Sequence, residues 1–184
     1  MYATFMAKPH ANEPGSSMHI HQSVLDLRSG KNIFSGKDGK PSKFFLNHIG
    51  GLQRYLAAAL PMCAPNVNSY RRLVPDSDAP TNVHCGFDNR TVSLRVPSSD
   101  PSNLRLENRV SGADANPYLA FAASLACGYL GMVERIKPSE PVEGSAYRYA
   151  HTLPINLEEA LDKLNYTKAL KQVLGEKFVE AYQD

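Results

Sequence analysis

The chain has 184 residues, of which 42% are hydrophobic and 21% charged, a balance typical of a globular domain and not of a disordered chain. This length fits one domain or a piece of a larger one. The net charge of +2 gives no strong field toward nucleic acid or an anionic membrane, so we expect neither as a partner. Cys63, Cys85 and Cys127 match no zinc spacing and cannot pair completely, which favours a reducing cytoplasm.

Two features of the sequence indicate whether the chain spans a membrane and whether it is a whole domain. The segment most like a membrane span, residues 117–133, has no charge, but it is rich in alanine and glycine and short for a span, so it predicts a buried helix. The chain opens on an extended run at residues 2–6 and closes inside a helical pattern at residues 177–184. We therefore expect residues 1–184 to be part of one domain that is truncated at both ends.

Polar and apolar residues alternate over residues 18–25, which predicts a strand. Successive side chains of a strand point to opposite faces, so His19, His21 and Ser23 share one face. Two imidazoles at this spacing can bind one cation or phosphate. The alternative is a pair of exposed histidines on an edge strand.

The next two segments are a helix and a long polar loop. Residues 41–42 open a helix with apolar residues at three- and four-residue steps, and we expect it to end at Pro61. Residues 64–81 contain three prolines and several charged side chains. This stretch predicts an irregular loop of the kind that often carries function.

Three strands and three helices follow. Residues 82–87 and 91–96 predict two strands joined by a hairpin turn at residues 88–89, and residues 103–110 predict another strand. A helix capped by Asp114 or Asn116 should be buried on most sides. The periodicity of the remaining sequence predicts amphipathic helices over residues 157–164 and 167–182.

One face of the strand at 103–110 carries Arg105, Glu107 and Arg109. A carboxylate between guanidinium groups could bind Mg²⁺ while its neighbours hold phosphate oxygens. The alternative is a solvated ladder of salt bridges. Arginines are plentiful in loops and polar strand faces here, which indicates a phosphorylated or carboxylate ligand: Arg72, Arg90, Arg95, Arg105 and Arg109.

Several motifs in a fixed order resemble the glutamine synthetase family. Residues 8–23 are similar to the family's ATP-region signature, and residues 68–75 to its substrate-binding segment. The motifs at 88–95, 105–109 and 115–119 follow in the family's order. The resemblance covers nearly the whole chain.

The resemblance implies an α+β fold, an antiparallel sheet with peripheral helices, as an incomplete catalytic domain without the N-terminal domain. It implies a homo-oligomeric double ring for the full-length protein. The implied reaction uses ATP and Mg²⁺ or Mn²⁺: ATP phosphorylates the γ-carboxylate of glutamate, and an amine or ammonium then displaces the phosphate. Positioned cations and hydrogen-bond donors are what phosphoryl transfer mainly requires of a protein.

The family's functional residues fall on matching positions of this chain. By resemblance, the metal ligands would be His19 and Glu107. Four further positions would lie along ATP or hold its phosphates: His21, Ser23, Arg95 and Arg105.

The resemblance also assigns the substrate side. Arg72 and Arg109 would hold the carboxylates of glutamate, and Gly15 would contact its amino end. Arg90 would neutralise the transferring phosphoryl group, and Asp78 would act on the incoming amine.

Three positions depart from the family pattern. Ser17 replaces a glycine, Ser102 replaces a lysine near the ATP phosphates, and Asp78 replaces a glutamate at the ammonium site. The shorter Asp78 carboxylate is retracted by about 1.5 Å, which makes room for a larger amine. The sequences of the motifs at residues 88–90 and 112–117 are similar to those of the γ-glutamylpolyamine synthetase branch. A true glutamine synthetase, a noncatalytic structural member and a metal-binding His-x-His sheet domain are the alternatives.

Overall fold

The computed structural model describes residue 1 and residues 3–183 and has the α+β architecture that the sequence predicts. Four short strands form one sheet: β1 (Ile20–Gln22), β2 (Cys85–Phe87), β3 (Leu94–Val96) and β4 (Leu106–Asn108). The described residues also form five α-helices: α1 (Lys43–Cys63), α2 (Pro117–Glu134), α3 (Leu157–Tyr166), α4 (Lys168–Leu174) and α5 (Glu176–Gln183).

The sheet is mixed, and in this it differs from the predicted antiparallel sheet. Its order is β1-β4-β3-β2, with β4 antiparallel to both β1 and β3 but β2 parallel to β3. The predicted hairpin at residues 88–89 is therefore wrong. The Asn89 side chain accepts hydrogen bonds from Thr91 and donates to the carbonyls of Val142 and Gly144, so it anchors a wider loop.

The two faces of the sheet have different roles. Ile20, Leu94 and Leu106 are buried on the face toward the helices. On this face the Asn108 amide donates to Ser124 of α2, and Ser124 donates to Gln22. These hydrogen bonds fix α2 against β1 and β4 and leave the opposite face for polar side chains.

Helices α1 and α2 pack backbone to backbone. The side chain of Ser42 caps α1, which continues past the predicted end at Pro61 by half a turn. A Cβ at Gly51 would lie 2.5 Å from Cα of Gly131, and a Cβ at Gly131 would lie 2.2 Å from the Asn47 carbonyl oxygen. Only glycine allows this approach, so the two positions fix where the helices cross.

Helix α2 is less buried than its sequence predicts. Asn116 caps it through the amide of Tyr118. One stripe of large apolar side chains is exposed: Tyr118, Phe121, Leu125, Tyr129 and Val133. Among the described residues, no helix has the length and apolarity needed to cross a membrane.

The C-terminal region follows its predicted periodicity with one interruption. The predicted helix over 167–182 is divided into α4 and α5 at Gly175, whose φ of 96° leaves the helical region. At the other end, residues 3–6 form no regular element, and Tyr2 of the predicted extended run lies outside the described residues.

A buried histidine makes the fold sensitive to acid. His48 of α1 is 1% exposed, lies against the Phe34 ring and leaves no space for a Cβ at Gly128. Neither ring nitrogen has a hydrogen-bond partner among the described residues. Burial lowers the pKa of His48 from 6.5 to about 4. The folded chain therefore holds this imidazole neutral where the unfolded chain protonates it.

We expect the free energy of unfolding to be highest above the ordinary histidine pKa and to fall as the pH drops toward 4. His48 accounts for about 2 kcal/mol of this loss at pH 5. In urea unfolding at pH 7.5 and 5, His48→Leu should reduce the difference between the two pH values by about that amount. The same substitution at the exposed His10 is the control, and an equal effect there would contradict this account.

Candidate functional site

Three neighbouring strands place one polar row across the face of the sheet that points away from the helices. His21 of β1 is paired with Glu107 of β4, and Glu107 is paired with Arg95 of β3. The row brings together residues far apart in the sequence. His19 and Arg109 extend it at one end.

Glu107 is at the centre of this row. Its carboxylate accepts hydrogen bonds from Arg95 at 2.7 Å and from Arg109 at 2.9 Å. Nδ1 of His19 lies 2.9 Å from the oxygen that Arg109 contacts. Because Glu107 is only 3% exposed, this is a buried cluster and not the solvated ladder that was the alternative from sequence.

The protonation states of Glu107 and His19 depend on burial and on the neighbouring arginines. Burial opposes the negative charge of Glu107, but hydrogen bonds from Arg95 and Arg109 outweigh it and hold the carboxyl pKa below its ordinary value. Burial and the charge of Arg109 lower the pKa of His19, while Glu107 opposes them. At neutral pH Glu107 is thus ionised and His19 neutral, the forms in which both residues bind metals.

Two partners of the cluster were missed from sequence. Asp88 accepts a hydrogen bond from the second terminal nitrogen of Arg95 at 2.8 Å. The hydroxyl of Ser17 lies 3.1 Å from Nε2 of His19, so this departure from the family pattern gives the imidazole a neighbour. Asp88 follows β2 directly, and the parallel pairing of β2 with β3 places it beside Arg95, an arrangement that the predicted hairpin did not include.

A second group of residues lies beneath the loop that contains Gly15. Arg72 is 3% exposed and donates to the carbonyl of Val110. A Cβ at Gly15 would lie 2.7 Å from Cγ of Arg72 and 2.7 Å from the Ala7 carbonyl oxygen, so only glycine fits against the aliphatic part of the Arg72 side chain. Burial lowers the pKa of Arg72 to about 10, which leaves it charged at neutral pH.

The buried guanidinium groups are incompletely satisfied. Nε of Arg72, Arg95 and Arg109 is buried in each case and has no partner within the described part of the chain. A buried donor without an acceptor costs free energy, and a guanidinium is the group best suited to carboxylates and phosphates. These residues fit a ligand that carries anionic oxygens.

The predicted nucleotide residues line one side of the row. Nε of Arg105 donates to His21 at 3.4 Å. Ser23, Ser102 and Arg105 line a single cleft beside the sheet. The structure thus brings His21, Ser23 and Arg105 together and joins them to Arg95 through Glu107.

Two predicted residues lie outside the cluster. Arg90 is exposed on the loop after β2, near Asp88, whose pKa is lowered first by the Ser98 amide and further by Arg95 and Arg90. Asp78 is exposed on the proline-rich loop and has a left-handed backbone with a φ of 57°. Among the described residues, neither makes a hydrogen bond to Glu107, and their roles stay predictions.

The donors for a metal ion are present only in part. Within the residues that the structure describes, no three His, Cys, Asp or Glu side chains are close enough to hold a metal ion. His19 and Glu107 converge on one point and are chemically suited to a divalent cation. Mg²⁺ takes about six ligands, so the remaining donors must come from substrate, water or residues outside this chain.

Comparison with known proteins identifies the family. The family described as "Glutamine synthetase, catalytic domain" matches residues 1–184, and the chain belongs to this family. The gamma-glutamylputrescine synthetase PuuA of Escherichia coli (strain K12) is 40% identical over 99% of this chain and 39% of its own length. The glutamate–isopropylamine ligase of a Pseudomonas species is 40% identical over 99% of this chain and 41% of its own length.

A further relative and a solved structure agree with this assignment. The glutamine synthetase of Pyrococcus abyssi (strain GE5 / Orsay) is 40% identical over 97% of this chain and 42% of its own length. A structure titled "Apo GmaS without ligand" superposes with a TM-score of 0.84 at 32% identity and covers 98% of this chain and 42% of its own. The chain thus spans about two fifths of the length of these relatives.

Proposed function

We propose that the chain is part of an ATP-dependent ligase that joins the γ-carboxylate of glutamate to an amine. A γ-carboxylate oxygen attacks the terminal phosphorus of ATP, ADP leaves, and the amine then displaces phosphate from the γ-glutamyl phosphate. The observation that carries this proposal is the buried Glu107, surrounded by His19, Arg95 and Arg109. Each of these two arginines has a buried Nε without a partner in the part of the chain that the structure describes.

The residues divide between nucleotide and glutamate. His21, Ser23, Arg95 and Arg105 would position ATP along the cleft beside the sheet. Arg72 and Arg109 would hold the carboxylates of glutamate, with the backbone of Gly15 at its amino end and Arg90 beside the transferring phosphoryl group. Oriented reactants and fixed positive charges supply most of the catalysis in this type of reaction.

His19 and Glu107 would hold Mg²⁺ or Mn²⁺ together with donors from outside this chain. A divalent cation held by these two residues would supply positive charge for the phosphate oxygens during transfer. The full protein would be a homo-oligomeric double ring in which an N-terminal domain completes each site. Three buried, unpaired cysteines are consistent with a place in the cytoplasm.

The buried arginines argue against the alternative that the chain is a noncatalytic family member. A structural role does not require guanidinium groups that are buried with unsatisfied donors, because each destabilises the fold without a ligand. Arg72 and Arg109 are 3% and 6% exposed. Their burial favours a site that still binds anionic substrates.

The amine is proposed to be a primary alkyl amine or a polyamine. Asp78 is one methylene shorter than the glutamate expected at this position, and the added volume admits an alkyl chain, whose burial contributes about 0.8 kcal/mol per methylene. Two relatives have names that specify alkyl amines, putrescine and isopropylamine. Ammonium, as in the named glutamine synthetases, is the alternative.

Comparison of kcat/KM for ammonium, ethylamine and putrescine at one pH tests this choice in the full-length protein. We expect an alkyl amine to exceed ammonium, and Asp78→Glu to shift the ratio toward ammonium by about tenfold, or about 1.4 kcal/mol. Asp76→Glu, an exposed aspartate on the same loop, is the matched control. A tenfold preference for ammonium in the unmodified protein would show ordinary glutamine synthetase activity instead.

The 184-residue chain alone should not turn over ATP. His19 and Glu107 cannot hold two hard cations that each take about six ligands. ADP release from the purified chain, measured with and without glutamate and ethylamine, should stay at background while the full-length protein is active. Steady release that requires both substrates would refute this expectation.

A further inference from the structure

The loop that contains Asp78 is held at both ends by specific hydrogen bonds. On one side, the Ser77 hydroxyl donates to the carbonyl of Arg72 at 2.8 Å. On the other, the Tyr147 hydroxyl donates to the carbonyl of Ala79 at 3.1 Å. Asp78 lies between these two anchors.

The backbone of this loop requires such support. Asp76 and Asp78 both have a φ of 57°, in the left-handed region. For residues other than glycine this conformation costs free energy and persists only where the surroundings fix it. Asp78 is itself exposed, so its position is set by its buried neighbour Ala79 and by the contact to Tyr147.

Tyr147 is rigidly placed to serve as this support. It belongs to a single 3₁₀ turn, Ala146–Arg148. The preceding Ala146 is fully buried, its amide donates to Thr91 at 2.8 Å and its carbonyl accepts from Asn82 at 3.0 Å. The turn therefore cannot move without breaking two hydrogen bonds to the segments that flank β2.

The surroundings of Tyr147 raise the pKa of its phenol. Burial raises the pKa of Tyr147, the charges of Asp78 and Asp76 raise it further, and the charge of Arg109 opposes them. The position of Tyr147 relative to the loop is given by geometry, because its hydroxyl donates to the Ala79 carbonyl next to Asp78.

We propose that Tyr147 is a positioning residue that holds Asp78 at the place where the amine enters and so supports the amine step alone. The inference rests on the proposed role of Asp78 in that step. It assigns a role to the segment after α2, which neither the sequence motifs nor the buried cluster at Glu107 includes.

The test uses Tyr147→Phe in the full-length protein, with Tyr149→Phe as the matched control. Tyr149 is in the same segment, but its hydroxyl contacts only the exposed Arg148 among the described residues. We expect Tyr147→Phe to lower kcat/KM for ethylamine by about three- to tenfold, the effect of one neutral hydrogen bond. Glutamate-dependent ADP formation without amine should stay within about twofold, and Tyr149→Phe should change neither rate.

Equal losses in both measurements would show that Tyr147 only supports the fold, and no loss in either would show that it does not hold the loop. Both results overturn the proposal. Thr91→Ala is a second variant, which should reproduce the effect by releasing Ala146, while Thr91→Ser should restore the rate.

Asp78→Asn tests the role of Asp78 separately from the role of Tyr147. If it leaves the amine step intact, the role of Asp78 is wrong, and the inference fails with it. If it slows that step and Tyr147→Phe does not, only the role of Tyr147 fails.

Discussion

Glu107→Ala should lower glutamate-dependent phosphoryl transfer by about a thousandfold or more in the full-length protein. The substitution removes a proposed metal ligand and also leaves Arg95 and Arg109 without the acceptor that orients them. Asp78→Ala should cost less than about tenfold in the same amine-free reaction, because Asp78 acts only when the amine arrives. ADP formation without amine measures both.

Asp88→Ala is the matched control for Glu107→Ala. It removes the other carboxylate that Arg95 contacts, at 2.8 Å, but Asp88 is not a proposed metal ligand. Mn²⁺ affinity separates the two effects, since it should fall for Glu107→Ala and not for Asp88→Ala. Comparable losses of phosphoryl transfer in the Glu107 and Asp78 variants would contradict the division of roles.

Arg72→Lys should raise the KM for glutamate by about 10- to 100-fold, with a smaller effect on the KM for ATP. An ammonium group cannot replace a guanidinium that donates to the Val110 carbonyl and whose buried Nε has no partner among the described residues. Gly15→Ala should have the same direction of effect, because a Cβ there would displace Arg72.

Arg71→Lys is the control, since Arg71 is the adjacent residue and is exposed. It should leave the KM for glutamate within about twofold. If Arg71→Lys and Arg72→Lys behave alike, the burial of Arg72 has no functional meaning, and its assignment to glutamate is wrong.

Alternation along strands was enough to predict which side chains share one face of a strand. The faces that carry His19 and His21, and Arg105 with Glu107, are those that the structure shows. Depth could not be predicted in this way. Glu107 is buried because β4 lies inside the sheet, between β1 and β3, and strand order depends on contacts between distant segments.

Other features depend on the close approach of two segments of the chain, which produces no recognisable pattern in the sequence. The contact between Gly51 and Gly131 and the position of Gly15 over Arg72 follow from how elements pack, and glycines with other roles look identical in sequence. The left-handed backbone at Asp78 adds a second reason for aspartate there, because aspartate adopts this conformation more readily than most residues. The Asp78→Glu comparison therefore changes both reach and backbone preference.

The path of one oxygen atom tests the proposed reaction most directly. If glutamate is labelled with ¹⁸O in its γ-carboxylate, the acyl phosphate route transfers one labelled oxygen to phosphate each time the full-length protein forms an amide. We predict that phosphate released in the presence of ethylamine carries this label and that its formation depends on the amine. Amide formation with unlabelled phosphate would contradict the account.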